Sequence, residues 1–225
     1  DVVVDATLDG GGHAQLFCER VGDSGVIIGI EQDPGMVRFI TERARAEGGV
    51  WERLVVTEGN FKDIGLLWKN TGVKHPRAIL FDLGISRWHY KESNKGFSFL
   101  EPSEPLLMTM SNDRPSVASI LNGFPESEIA DILWRYGELR NSRSIAKDIV
   151  MYRATKKFVT VEDLLKAIGA VSRGNRHTHQ ATRVFQALRI AANDELYVLE
   201  TGLREAWAIL AVGGHIAVLT YHSLE

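Results

Sequence analysis

A single cysteine, Cys18, in 225 residues leaves no internal disulfide, which excludes the small secreted folds that depend on such bridges. With no second thiol and seven scattered histidines, the usual ligand set of a structural zinc site is also missing, so no metal is expected. No apolar run approaches the roughly 20 residues that cross a bilayer, so no membrane span is expected. Repeats and low-complexity tracts are absent too. The lone cysteine suits a reducing compartment, so the cytoplasm is expected, or the mitochondrial matrix if the source is eukaryotic; no secretory signal is seen. The chain begins directly in a strand-like run, so residues are expected upstream. The dinucleotide fingerprint G-x-G-x-x-G fails because Gln15 stands where the third glycine belongs, which disfavours a nicotinamide-dependent dehydrogenase. No serine sits in a G-x-S-x-G elbow, which disfavours a serine hydrolase.

What is present is ordinary globular composition, 44% hydrophobic and 24% charged, in a chain long enough to bury a substantial core. The net charge of −3 hides an asymmetry. Residues 135–190 carry twelve Lys and Arg against four acids, and the remainder carries the acidic excess. A basic segment on an acidic body suits phosphate binding, though a solvated helical face has the same composition. Arg140, Arg143, Lys147, Lys156, Lys157, Arg173 and Arg176 are the candidate phosphate contacts.

The informative stretch is residues 1–21, DVVVDATLDGGGHAQLFCERV. Val2, Val3 and Val4 suit a buried strand. Gly10, Gly11 and Gly12 permit a sharp turn with close ligand approach. Ala14, Phe17, Cys18 and Val21 then fall at helical spacing. Strand, glycine turn and helix together present backbone N–H groups and a positive helix end to a bound nucleotide or nucleoside. A second apolar run, residues 26–30, ends in Glu31, about twenty residues after the turn, where a carboxylate can accept both ribose hydroxyls. DATLDGGG looks like the first motif of an S-adenosylmethionine site.

Further strands are expected at residues 53–57, 78–81 and 216–220, with helices at 34–46, 64–68 and 194–210. Asp5, Glu31 and Asp82 thus end parallel strands, where open α/β sheets gather ligands. Periodicity is lost over residues 86–115, a length of loop that usually covers a site. Helices are expected beyond it at 116–121, 126–136, 142–152, 161–171 and 181–192. The expected architecture is an α/β sheet domain of residues 1–115 and 193–225 with an inserted helical domain, residues 116–192.

Several strings in order then resemble one family: GGH at residues 11–13, QDP after Glu31, DLG from Asp82, GFSF from Gly96, YGE from Tyr136, ATR-FQALRI from Ala181 and HSLE from His222. Together they resemble the bacterial 16S ribosomal RNA cytidine N4-methyltransferases (RsmH, older name MraW) and their mitochondrial relatives. The resemblance spans essentially the whole chain. It implies a Rossmann-like S-adenosylmethionine-dependent methyltransferase whose inserted helices bind small-subunit ribosomal RNA, free or in the assembled subunit; a homodimer stays open. By position, Gly11, Gly12, His13, Glu31, Phe61, Asp82 and His89 would contact the cofactor, with Phe61 near the adenine. Glu31 stands where the family usually has aspartate and His89 where it has glutamine. Asp9 replaces a usual glycine. Leu107, Thr109 and Ser111 in PLLMTMS replace polar positions of the family's PLDMRMD. The family's segments before Asp1 and after Glu225 have no counterpart here, so a longer natural chain is expected.

The exocyclic amine of cytidine is a weak nucleophile, because its lone pair is delocalised into the ring. Catalysis therefore needs alignment and an acceptor for its N–H. Asp82, with His222 and Ser223 approaching from the fifth strand, is the candidate set. A base in folded RNA must also be extruded onto an apolar platform. Trp88, Tyr90, Phe97 and Phe99 are candidates, although Phe97 and Phe99 equally suit pinning the loop to a core. Two other readings stay open: a methyltransferase with a different substrate, and an impaired relative that binds RNA or ribosomes without turnover.

Overall fold

The structure is a computed structural model that describes residues 1–111, 113–169 and 175–225, with residues 175–179 described by backbone alone. Two compact units emerge, one of residues Asp1–Ser86 with Leu196–Glu225 and one of residues Arg87–Glu195. No described helix is long and apolar enough to cross a membrane.

The first unit is built on β1 (Val2–Asp5), β2 (Val26–Glu31), β3 (Leu54–Glu58), β4 (Ala78–Asp82) and β5 (His215–Leu219). They form one parallel sheet in the order β3-β2-β1-β4-β5. Strand alternation divides the apolar residues between two faces. Val2, Val4, Ile28, Ile30, Ile79 and Phe81 face α3 (Ile64–Thr71) and α10 (Glu195–Ile209), which contribute Ile64, Leu199, Ala206 and Ile209. Val3 and Ile27 face α1 (Gly12–Arg20) and α2 (Pro34–Glu47), which contribute Ala14, Cys18 and Ile40. All four residues of β1 are buried, which is why its sequence is an unbroken apolar run with one acid at the end.

The helix signals in the sequence hold for physical reasons. Asp33 caps α2 by accepting the Gly35 N–H at 2.8 Å, with Pro34 in the first turn. Gly72 closes α3 in the left-handed conformation at φ 69°. The glycine turn is fixed more tightly. Gly11 has φ 77°, and a Cβ there would come within 2.5 Å of Ile40 Cδ1 and 3.0 Å of the Trp51 ring. Only glycine fits this corner.

The second unit holds α4 (Arg87–Lys91), α5 (Val117–Gly123), α6 (Glu126–Gly137), α7 (Ser142–Thr155), α8 (Val161–Ala167) and α9 (Asn175–Asn193). Two expected spans change most. The helix expected over 161–171 is α8, which ends at Ala167 before Gly169 at φ 68°, and the helix expected from residue 181 begins at Asn175. α6 packs on α7 and α9, and its Ile129 and Leu133 are buried. Contacts divide the chain after Ser86 and Glu195, where the sequence places the divisions after residues 115 and 192. The cause is how residues 95–110 are held. Leu106 N–H donates to Val159 O at 2.9 Å, Phe99 meets Phe185 edge-on at 5.8 Å, and Asn193 donates to Met108 O at 2.8 Å. The aperiodic stretch is thus a structural part of the helical unit.

A buried hub closes the corner between α7 and α8. Asp163 accepts from Tyr152 Oη at 2.9 Å, Lys156 Nζ at 2.6 Å and the N–H of Thr160 at 3.0 Å. Burial alone would raise the Asp163 carboxyl; these donors overcome it and hold the group far below the usual carboxylate range.

Candidate functional site

At the carboxyl ends of β1, β2 and β4, the first unit gathers Asp5, Asp9, Glu31 and Asp82. Asp5 is fully buried. Its Oδ1 accepts the Thr7 N–H at 3.3 Å, and its Oδ2 has no partner. Thr7 also joins the strands, because its Oγ1 accepts the Asp82 N–H at 2.7 Å. Glu31 is nearly buried, with Oε1 accepting from Asp33 N at 2.8 Å and Oε2 from Asp9 N at 3.1 Å. Each of its oxygens retains a second acceptor position, so the pair can still receive a diol.

Burial is the main force on these acids. It pushes the Asp5 carboxyl up to about 8, aided by the charges of Asp9, Asp82 and Glu31 and opposed by the Thr7 N–H. Glu31 rises to about 8 by burial and then by the Asp9 charge. Asp9 rises to about 6, burial outweighing its hydrogen bond with Ser86. Without a ligand the rim therefore retains protons at neutral pH, and a cation bearing N–H and O–H donors would displace them.

Asp9, the departure from glycine, has φ 44°. Aspartate tolerates that region better than other side chains do, so the loop keeps the path that glycine would give it. Above it, a Cβ on Gly10 or Gly12 would meet nothing within 4 Å, and no side chain caps the start of α1. The cradle is thus open and offers free backbone N–H donors to an anion. An orphaned acceptor, a paired diol acceptor and a helix start fit a ligand carrying an ammonium, two hydroxyls and a carboxylate.

Asp82 is held from two sides. His13 Nε2 lies 3.1 Å from Oδ2, and the Tyr221 hydroxyl donates to Oδ1 at 2.9 Å. Sequence reasoning selected His13 but missed Tyr221, which an aromatic just past the end of β5 could have signalled. His222, expected beside Asp82, turns elsewhere: its Nδ1 accepts the Leu224 N–H at 3.2 Å, capping its own turn. Ser223 lies on the same turn. Arg43 was missed as well. It donates to Gly10 O at 2.8 Å and lies over the Trp51 ring, bracing the glycine loop from below.

Phe61 meets Phe81 edge-on at 5.4 Å, and a Cβ on Gly202 would come within 2.6 Å of its ring. Its ring is thus engaged in packing between β4 and α10. His89 belongs to the second unit, buried between the rings of Trp88 and Phe97. Phe97 is buried and Phe99 packs on Phe185, which makes both of them loop anchors; Tyr90 is exposed. The GFSF string has a packing cause. Gly96 has φ 75°, and a Cβ there would collide with the Pro105 carbonyl. In PLLMTMS, Thr109 is buried and Ser111 bonds Asp113.

Arg140, Arg143 and Lys147 are exposed and fall at i, i+3 and i+7, one stripe along α7 and the turn before it. Lys157 is exposed as well. Lys156 is committed to Asp163. Arg173 and the side chain of Arg176 lie outside the described residues.

The sequence matches the MraW methylase family over residues 1–225. It is 44% identical to a protein named Ribosomal RNA small subunit methyltransferase H from Dictyoglomus thermophilum, across all of this chain and 74% of that one. Proteins of the same name from Dictyoglomus turgidum and Deinococcus radiodurans are 42% and 39% identical over 225 residues, with 75% and 69% of their lengths covered. Matched from end to end, with the glycine loop and the acids of that motif set at the carboxyl rim of a parallel sheet, the chain belongs to the MraW methylase family.

Proposed function

We propose that this chain methylates the exocyclic N4 amine of a cytidine in small-subunit ribosomal RNA, with S-adenosylmethionine as the methyl donor. The observation that carries the reading is the buried, unpartnered Asp5 oxygen amid three further carboxylates beside an open glycine loop. Such a rim suits a cationic nucleoside with an amino-acid tail. The names of the relatives supply the substrate class.

In this reading Glu31 receives the ribose hydroxyls, and Asp5 faces the ammonium. The N–H groups at Gly12 and His13 receive the carboxylate, while Gly11 keeps the turn close. When bound, S-adenosylmethionine supplies a sulfonium methyl group, whose transfer leaves S-adenosylhomocysteine and one proton. Asp82, oriented by His13, accepts an N–H of the amine and so aligns its lone pair. The nitrogen becomes acidic only as the new bond forms, so Asp82 need not act as a strong base beforehand. Phe61 and His89 fall outside this cofactor set because their rings are used in packing.

Nucleoside mass spectrometry of small-subunit RNA, with and without the protein and cofactor, tests the assignment. N4-methylcytidine is the expected product, and a methyl group found on another base or none at all would overturn it. The α7 stripe supports the RNA side of the reading. RNA affinity should fall by about tenfold or more between 50 and 200 mM salt, with a shallower slope for an Arg143→Ala, Lys147→Ala double variant. A salt response identical in the two proteins would remove the stripe from the interface.

A further inference from the structure

We propose that Tyr221 is the platform that receives the target pyrimidine, its ring stacking on the extruded base while its hydroxyl holds Asp82 toward the amine. This deepens the cytidine methylation reading and rests on it.

Tyr221 lies two residues past the end of β5, and its bond to Asp82 places its hydroxyl at the same carboxyl rim. Within residues 1–225, Tyr221 is 74% exposed. Yet the side chain is not loose. Its hydroxyl donates to Asp82 Oδ1 at 2.9 Å, and its backbone N–H donates to Glu225 Oε2 at 2.9 Å. The ring passes Gly84, where even a Cβ would stay 3.9 Å from Cδ2, so this approach is uncrowded. Exposed yet tethered at both ends, the ring has little freedom left to lose when a base stacks on it.

Position supports the same role. Of the aromatic residues expected to form a platform, Phe97 and Phe99 are anchors of the second unit. The exposed Tyr197 and Trp207 of the first unit lie along α10, and among the described residues neither bonds a rim carboxylate. Tyr221 does. Asp82 is engaged once at each oxygen, by Tyr221 and by His13, so each oxygen keeps an acceptor position for an amine N–H. The hydrogen bond to Asp82 pushes the Tyr221 hydroxyl up from its ordinary value, so it remains a donor through the neutral range.

The test uses the full chain as wild type, Tyr221→Phe and Tyr221→Ala. The probe is a single-stranded oligoribonucleotide carrying the fluorescent analogue pyrrolo-cytidine. Stacking should quench the probe in wild type and in Tyr221→Phe, and the quench should disappear in Tyr221→Ala. With small-subunit RNA as substrate, Tyr221→Ala should raise KM about tenfold or more. Tyr221→Phe should keep KM and lower kcat several-fold, because Asp82 loses one donor. S-adenosylmethionine affinity by calorimetry should stay within about twofold in both variants, and so exposed a site should leave the melting behaviour unchanged. Retained quenching and KM in Tyr221→Ala would overturn the platform. Equal KM damage in both variants would overturn the split between ring and hydroxyl. A wild type that quenches the probe but methylates no RNA would instead sink the cytidine reading beneath it.

Discussion

Asp82→Ala is expected to lower methyl transfer by at least about 100-fold while leaving the fold intact. Asp82 is the point where the elements of the rim meet: its N–H is fixed by Thr7, and its oxygens by His13 and Tyr221. A fixed acceptor aimed at developing positive charge contributes roughly 3–4 kcal/mol to a transition state, and each 1.36 kcal/mol is tenfold in rate. The structural cost is small by comparison. His13 and Tyr221 are both accessible to water, which can replace the lost carboxylate, and one of the charges opposing Asp5 and Asp9 disappears. Asp82→Asn separates charge from shape, because its amide oxygen can accept from Tyr221 or from His13 but not from both in the present arrangement. Single-turnover kinetics under saturating cofactor would check the claim, and a near wild-type rate for Asp82→Ala would remove the residue from catalysis.

The ligand-free protein should lose stability as pH rises from 5.5 to 8.5, and Asp5→Asn should flatten that loss. In the unfolded chain these carboxyls ionise near their ordinary values of 3.8 and 4.5, whereas folding raises Asp5 and Glu31 to about 8. Between those limits the native state binds more protons than the unfolded state, so stability falls with rising pH. Below the unfolded values both states are protonated and nothing is lost; above about 8 the loss is complete. The window above pH 5.5 separates this loss, to which Asp9 adds at the lower end, from that of Asp163. Asp163 is depressed, so its contribution is fully present above 3.8 and is lost only in more acidic solution. A fall of at least about 2 kcal/mol over the window is expected, since each tenfold change in a proton-binding constant between the two states is worth about 1.36 kcal/mol. Asparagine keeps an acceptor for the Thr7 N–H while removing the buried charge, so the variant should be the more stable protein at pH 8. Denaturant unfolding at several pH values would show it; equal slopes in the two proteins would mean that Asp5 is not the group responsible. The same substitution should weaken cofactor binding, a common conflict between stability and function at a site.

Much of this protein is written locally. The apolar runs ending in Asp5, Glu31 and Asp82 mark parallel strands buried on both faces, and Asp33-Pro34 and Gly72 mark helix ends through bonds a few residues long. The glycine loop is legible for the same reason, since a left-handed corner at Gly11 is a property of that residue alone. Those features sufficed to place the three strand-end acids on one rim. Local pattern could not divide the chain after Ser86, because residues 95–110 follow no helical or strand period. Their place in the helical unit is decided by partners as distant as Phe185 and Asn193.

Determined by sequence alone, then, are the strand-end acids, the turn that brings a backbone close to a ligand, and the resemblance that names the methylase family. Left to tertiary structure are the company each side chain keeps and the protons it carries. His222 and Tyr221 are neighbours in the chain, but only folding turns one ring into its own loop and brings the other hydroxyl to Asp82. Phe61 and His89 are selected by resemblance, and only the fold shows the aromatic rings each packs against. The reason is physical: burial and contact depend on groups distant in sequence, whereas turns, caps and strand periods are set by near neighbours.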